Sequence, residues 1–229
     1  MRDISPDILY EDNHLIVVNK RPSDLVQGDK TGDTTLPEMV KAYIKKKYNK
    51  PGEVFLGVVH RLDRPVSGAV VFARTSKALS RMNKLIKEGG LHKTYLALTE
   101  NKPPQNEGHL TDWLLKNQKQ NKSYVVEEGR QGAKKAELNY KLIASGKKYH
   151  LVEIELITGR HHQIRVQLAH IGCTIKGDLK YGAGRSNPGG SISLHAREIS
   201  FVHPVKKEKL TVVAPLPAGD VFDKILREG

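Results

Sequence analysis

Three absences narrow the possible functions of this 229-residue chain before any motif is considered. Cysteine occurs once, at Cys173, so the chain cannot close an internal disulfide or build a multi-cysteine zinc site. No segment approaches the roughly 18 to 20 consecutive apolar residues that cross a bilayer, and the opening MRDISPDILYEDNH lacks the apolar stretch of a signal peptide. We therefore expect no membrane partner and a cytoplasmic location.

Familiar cofactor signatures are absent as well. The sequence contains no glycine-rich phosphate loop followed by Lys-Ser/Thr, no dinucleotide fingerprint after a strand and no HExxH motif. Adjacent His161 and His162 would point roughly a third of a turn apart on a helix, which makes a poor pair of metal ligands, so polar packing or phosphate contact is favoured. Ser67 lies in VSGA rather than in the GxSxG elbow of a serine hydrolase. Chemistry without a cofactor or a metal is therefore predicted.

Acidic residues are fewer than basic residues: the sequence has 25 acidic and 38 basic residues, which gives a net charge of +13. Such an excess favours a polyanionic partner. In SKALSRMNKLIKEGG, apolar residues share one helical face while Lys77, Arg81 and Lys84 share the opposite one. KAYIKKKYNK and KNQKQNKSY add lysines at the surface or in loops. We expect contacts with nucleic acid mainly through phosphate groups; the alternative is a solvated face that only keeps the protein soluble.

Hydrophobic periodicity predicts a sequence of short strands with a few helices between them. Strands are predicted at LIVVNK (15–20), GAVVFAR (68–74), KTYLALTE, AELNYKLI, YHLVEIELI, LHAREISFVHP and EKLTVVAPLP. Helices are predicted at TLPEMVKAYIKKKY, SKALSRMNKLIKEGG and HHQIRVQLAHIG. The turn-rich KPPQNEGH and the polar, lysine-rich segment after it suggest no regular element. These elements predict a single α+β domain over residues 1–229, with a mixed, largely antiparallel sheet and flanking helices and loops.

One acidic residue, Asp63, lies between two arginines in HRLDRPVSG, directly before the predicted buried strand GAVVFAR. The proline and glycine of this segment indicate a constrained turn at the strand entrance. A partly buried carboxylate must be neutralised by protonation, hydrogen bonds or a cation. Arg61, Arg64, Arg160 and Arg165 could each supply that cation. Local evidence alone favours an aspartate that caps the turn and pairs with an arginine.

The same segment resembles the HRLD-x-x-(Thr/Ser)-Ser-Gly signature of the RluA-type pseudouridine synthases, in which x is any residue. KTYLAL, GRHHQIRVQLAHIG, KGDLKYG and LHAREISFVHP resemble four further blocks of that family, in the family's order. The resemblance runs from about Leu15 to Pro217. It implies an RNA pseudouridine synthase that isomerises uridine in ribosomal RNA, transfer RNA or both, with no cofactor and no obligate protein partner. A monomer is expected, because no additional apolar surface is evident.

The resemblance also implies catalytic roles for three residues. Asp63 would either attack the anomeric carbon as a nucleophile or remove a sugar proton to form a glycal, and sequence leaves both open. Tyr95 would stack on the extruded base and assist proton loss from the carbon that is rejoined, although a tyrosine on a strand is ordinarily core. Arg165 would pair with Asp63, the alternative being an exposed arginine that meets only phosphate.

Substrate-binding roles are implied for five further residues. Arg61 resembles the arginine that enters the RNA where the uridine leaves, a role suited to a guanidinium group. His60 would either support the loop or contact RNA. Arg160, His162 and Gln163, in the GRHHQIR block, are expected to contact the substrate.

Three departures from the family pattern are visible. Val66 stands where threonine is usual, so a hydroxyl that could brace the loop is absent. KRPSD (20–24) replaces a lysine-proline-x-glycine sequence, which leaves the shape of that turn open. LIVVNK begins within the first twenty residues, so no N-terminal accessory domain is expected. Two rival functions remain at this level: a non-catalytic RNA chaperone of this fold, and a cofactor-free hydrolase or glycosidase that the basic face disfavours.

Overall fold

The computed structural model describes residues 2–28, 32–217 and 221–228. The chain divides into two compact units: the first comprises Met1–Leu91 and Ala196–Pro215, and the second comprises His92–His195 and Leu216–Gly229. Within the described residues, no helix combines the length and the apolar character that a membrane span requires.

The regular elements are strands of 2 to 12 residues and helices of 12 residues or fewer. The strands are β1 (Ile8–Glu11), β2 (Leu15–Lys20), β3 (Gly57–Val58), β4 (Ser67–Ala73), β5 (His92–Thr99), β6 (Glu107–Asn117), β7 (Lys122–Val126), β8 (Lys134–Ser145), β9 (His150–Leu156), β10 (Leu194–Val202) and β11 (Lys209–Val213). The α-helices are α1 (Leu36–Lys47), α2 (Ser76–Lys87), α3 (Gln163–His170) and α4 (Phe222–Glu228).

In the first unit the sheet order is β1, β2, β4, β10, with β3 paired to β4 and β11 paired to β10. All seven residues of β4 are buried, because this strand has neighbours on both edges and covered faces. Helix α2 packs Ala78 and Met82 into a core that also contains Leu15, Val71 and Phe201. Both faces of α2 are as the sequence predicts, since its lysines and arginine are exposed.

The entrance to β4 requires a glycine. Gly68 has a φ of +116°, and a Cβ at this position would lie 2.3 Å from the carbonyl oxygen of Ala196. A side chain there would therefore collide with main chain that has little room to move. In the antiparallel register Gly68 is paired with Lys20, so the end of β2 lies beside the start of β4.

The second unit is an antiparallel sheet in the order β5, β9, β8, β6, β7. One face of β9 is buried, as the alternation of Val152, Ile154 and Leu156 predicts. Helix α4 places Phe222 and Ile225 in a core with side chains from β5 and β9. Helix α3 is buried along most of its length, at six consecutive positions from Gln163 to Leu168.

The predicted α+β class with a largely antiparallel sheet is confirmed, and each predicted helix and strand is present. The hairpin formed by β6 and β7 was not predicted. Only Leu114 of β6 is buried, so this long strand lacks the strong apolar alternation by which strands are detected. The single-domain assignment over residues 1–229 stays a prediction.

Candidate active site

The loop that carries Asp63 is tied to β4 from both sides. The Val66 N–H donates to the Asp63 carbonyl at 3.1 Å, which closes the turn. His60 Nε2 accepts the N–H of Val71 at 3.1 Å, so the imidazole braces the loop against the strand. The Asp63 carboxylate is half-buried at this strand entrance. A rigid support under a partly exposed acid is a suitable arrangement for a reactive group.

A fully buried lysine, Lys20, supports the same loop from inside the first unit. Its ammonium group donates to the carbonyls of Arg21 at 3.1 Å, Arg64 at 3.0 Å and Val66 at 2.6 Å. Burial lowers the Lys20 pKa to about 8, opposed by the negative charges of nearby carboxylates that include Asp63. Lys20 thus fixes the main chain on the C-terminal side of Asp63 and places a cation near its carboxylate.

Sequence reasoning missed Lys20. The available signal was a lysine at the end of LIVVNK, a strand whose first four residues are apolar and buried. The KRPSD turn that follows also belongs to the site, because the Ser23 N–H donates to the Arg64 carbonyl at 2.9 Å. Ser23 has a φ of +74° and lies three residues after Lys20, where the family sequence has glycine. The turn therefore keeps a left-handed conformation despite the substitution.

The two arginines that flank Asp63 are exposed and have separate partners. The Arg61 guanidinium donates to the side-chain oxygen of Gln27. Arg64 forms an ion pair with Asp33 at 2.8 Å, in which both side chains are about half exposed. An exposed pair of this kind contributes little to stability, about 0 to 1 kcal/mol. The hydrogen bond of Arg61 to Gln27 is also exposed, so the Arg61 side chain can reorient toward an RNA ligand at small energetic cost.

In the second unit, Tyr95 lies on β5 opposite Ile154 of β9 and is buried. Arg165 projects from α3 into the interior and is only 5% exposed. Its Nε donates to Asp178 Oδ2 at 2.7 Å and its Nη2 donates to Asp178 Oδ1 at 2.8 Å. The alternative of an exposed Arg165 that meets only phosphate is therefore excluded. The predicted pairing of Arg165 with Asp63 stays a prediction.

Asp178 and Tyr181 are further members of this cluster that sequence reasoning did not assign. Asp178 is 1% exposed, and the ring of Tyr181 lies 5.2 Å from the guanidinium carbon of Arg165. A two-point carboxylate contact and an aromatic neighbour hold the guanidinium in one orientation. The signal was the KGDLKYG segment, which contains both residues, although sequence alone gave neither one a partner.

The segment before α3 is fixed by two of the predicted substrate-binding residues. Gln163 accepts from the Thr158 hydroxyl at 2.7 Å and from the Arg160 N–H at 3.0 Å. His162 is buried, has a φ of +54° and shares a 2.9 Å hydrogen bond between its Nδ1 and the Tyr181 hydroxyl. Burial, aided by the positive charge of Arg165, lowers the His162 pKa to about 2. His162 therefore stays neutral and supports Tyr181.

The remaining residues of this segment are accessible. Arg160 is exposed and donates from Nε to the Lys135 carbonyl at 2.8 Å. His161 stacks on His162 with 3.8 Å between ring centroids. The structure thus places His60, Arg61 and Asp63 on one loop of the first unit. In the second unit Arg160, His162, Gln163 and Arg165 lie at the start of α3, and Tyr95 lies on β5. Over the described ranges, no set of three or more His, Cys, Asp or Glu side chains could hold a metal ion.

Comparisons with known proteins identify the family of the chain. A sequence model of the RNA pseudouridylate synthase family matches residues 14–170. An uncharacterized RNA pseudouridine synthase of Bacillus subtilis, YhcT, is 35% identical over 93% of this chain and 69% of its own length. Ribosomal large subunit pseudouridine synthase C of Buchnera aphidicola (subsp. Schizaphis graminum) is 34% identical over 97% of this chain and 70% of its own length.

The fold has a solved counterpart. The structure of human RNA pseudouridylate synthase domain containing 4 superposes with a TM-score of 0.81, covering 98% of this chain and 94% of that one at 24% identity. Such a likeness establishes the architecture, and the sequence matches establish the family. The resemblance to RluA-type enzymes is confirmed. The chain therefore belongs to the RNA pseudouridylate synthase family and is an RNA pseudouridine synthase, an isomerase.

Proposed function

We propose that the protein isomerises specific uridines of ribosomal RNA, transfer RNA or both, with Asp63 as the group that acts on the sugar. The observation that carries this proposal is a half-buried carboxylate on a loop fixed by Lys20 and His60. Ribosomal RNA is favoured because similar proteins are named ribosomal large subunit pseudouridine synthases. A cytoplasmic location and a monomeric state stay predictions.

The reaction balances without any co-reactant. The bond from N1 of uracil to C1′ of ribose breaks, the base turns, and a new bond forms between C5 and C1′. C5 loses a proton and N1 gains one, so the net change is an isomerisation with no oxidant or reductant. Asp63 would either bond to C1′ and be displaced again, or remove a sugar proton to give a glycal and later return it.

Supporting roles follow from the family resemblance and from burial. We assign Tyr95 to stacking on the extruded base and to assisting proton loss from C5. We assign Arg165 to pairing with the Asp63 carboxylate. The fixed orientation of the Arg165 guanidinium, set by its two contacts with Asp178, supports that assignment. Gln163 and His162 act by holding the segment before α3, and Arg160 remains available to contact RNA.

Base extrusion explains the exposed arginine beside Asp63. Taking a uridine out of folded RNA costs a few kcal/mol of stacking and pairing. The planar guanidinium of Arg61 can stack on the neighbouring bases and so replace part of what is lost. The cations on the outer face of α2, which are exposed, would contribute phosphate contacts that are independent of sequence.

The experiment that tests this function is a pseudouridine map of total RNA from cells with the gene, without it, and complemented with Asp63→Asn. We expect one or a few pseudouridines to disappear on deletion and to return with the wild-type gene but not with Asp63→Asn. Asp33→Asn is the matched control, because it makes the same change at an exposed aspartate of the same unit, and it should restore them. An RNA chaperone would instead leave the map independent of Asp63.

A further inference from the structure

We infer that Lys93 binds a phosphodiester group of the substrate RNA, next to the nucleotide whose base Tyr95 stacks upon. This inference rests on the proposed function for the identity of that nucleotide. Lys93 and Tyr95 are two residues apart on β5, so their side chains leave the strand on the same face. A ligand that reaches Tyr95 would therefore pass within reach of the Lys93 ammonium group.

The Lys93 ammonium group lies against the segment that precedes α3. A Cβ at Gly159 would be 3.5 Å from Nζ, so the absence of a side chain at Gly159 leaves room beside the ammonium group. Gln163 fixes this segment through the Arg160 N–H. The exposed Arg160 follows Gly159 directly in the sequence, so a second cation lies on the segment that the Lys93 ammonium group approaches.

Lys93 is unusual because its side chain is half-buried and has no anion beside it within the described residues. It forms neither an ion pair nor a side-chain hydrogen bond with any residue that the structure describes. Burial alone lowers its pKa. Lys20, the other buried lysine considered above, donates to three carbonyls. Burying an unpaired ammonium group is unfavourable, so its retention indicates that an anion completes the site when the ligand is bound.

The anion follows from the chemistry of the substrate. Uracil and ribose are neutral at neutral pH, so the phosphodiesters are the anions that a uridine-containing strand can offer. An ammonium group is a compact point charge that suits a phosphate oxygen and does not require a planar, two-point partner. Lys93 would thus position the backbone of the target nucleotide while Tyr95 holds its base.

The test compares Lys93→Met with Lys141→Met, which changes an exposed lysine of the same unit. Binding of fluorescein-labelled decauridylate is measured by anisotropy between 50 and 200 mM KCl. Loss of one phosphate contact should flatten the slope of log affinity against log salt by about 0.7 and weaken binding about five- to tenfold at the lower salt concentrations. Lys93→Arg should retain the wild-type slope, and a methylphosphonate analogue, which lacks the charges, should bind wild type and Lys93→Met equally.

Thermal unfolding without RNA separates this site from a structural lysine. Because the unpaired ammonium group destabilises the free protein, Lys93→Met should unfold at the same temperature as wild type or higher. A wild-type salt slope for Lys93→Met, or a lowered unfolding temperature with an unchanged slope, would overturn the inference. The anisotropy assay measures RNA binding and not pseudouridine formation. Failure of the inference on Lys93 is therefore distinguishable from failure of the proposed function, which is judged by product formation.

Discussion

Removing the Asp178 carboxylate should destabilise the second unit strongly. Asp178 and Arg165 are 1% and 5% exposed, and two hydrogen bonds of 2.7 and 2.8 Å join them. Asp178→Asn preserves the shape of the side chain but removes the carboxylate charge that accepts two hydrogen bonds from the buried guanidinium. Breaking a buried pair in this way costs about 3 to 5 kcal/mol. That is a large part of the roughly 5 to 15 kcal/mol by which a folded protein is stable.

The measurement is urea unfolding followed by fluorescence of Trp113, the single tryptophan, which lies on β6 in the same unit. The matched control is Asp33→Asn, which breaks the exposed pair with Arg64 and should cost less than about 1 kcal/mol. A double variant, Arg165→Met with Asp178→Leu, should be more stable than Asp178→Asn alone, because it removes both charges of the buried pair together.

If Asp178→Asn and Asp33→Asn each cost less than about 1 kcal/mol, the Asp178 carboxylate does not stabilise a buried guanidinium and the account of how Arg165 is oriented fails. If the double variant is less stable than Asp178→Asn, packing rather than charge dominates at this position.

Three further predictions concern the Asp63 loop. Ser23→Gly should raise the free energy of unfolding by about 0.5 to 1 kcal/mol because Ser23 has a positive φ. The control Ser80→Gly, within helix α2, should lower the free energy of unfolding by a similar amount. If both variants change the free energy of unfolding equally, the backbone of Ser23 is not strained. The pKa of Lys20 is about 8 in the folded protein, whereas an ordinary lysine has a pKa of 10.5. Between these two pH values the unfolded chain binds more protons than the folded protein, so the free energy of unfolding rises with pH. The stability deficit of Lys20→Met in denaturant titrations should therefore grow from pH 8 to 10.5, by up to about 3 kcal/mol; a constant deficit would argue against a buried ammonium group. Arg61→Ala should reduce turnover on RNA more than Lys84→Ala does, and equal small effects would remove its special role.

The elements of the fold were predictable where burial imposes a pattern. Strand β4 contains the apolar run AVVFA, and β9 alternates apolar and polar residues from Val152 to Leu156, so the sequence identifies both. Strand β6 has one buried residue, Leu114, and pairs through its main chain, which any polar sequence can do. Its presence depends on the partner β8 rather than on its own residues. Long-range pairing of that kind leaves little trace in the local sequence.

The same distinction applies to the candidate site. The Asp63 segment was recognisable because its residues are consecutive, and its turn is closed by a local hydrogen bond. Lys20 was not recognisable as part of the site, because its closest hydrogen-bond acceptor is the Val66 carbonyl, 46 residues away in sequence. Asp178 was also not assigned, since its partner Arg165 lies in a different element and nothing in the intervening residues indicates the contact. Residues that support a site from a distance become visible only when the fold is known.

The central claim is that Asp63 is required for isomerisation and not for folding or RNA binding. The most direct measurement is release of tritium from RNA labelled at C5 of uridine, under single-turnover conditions with excess purified protein. The wild type and Asp33→Asn should release tritium from the target uridine, because C5 loses its proton when the new bond forms. Asp63→Asn should release none while binding the same RNA with near wild-type affinity. Release by Asp63→Asn at the wild-type rate would contradict the account.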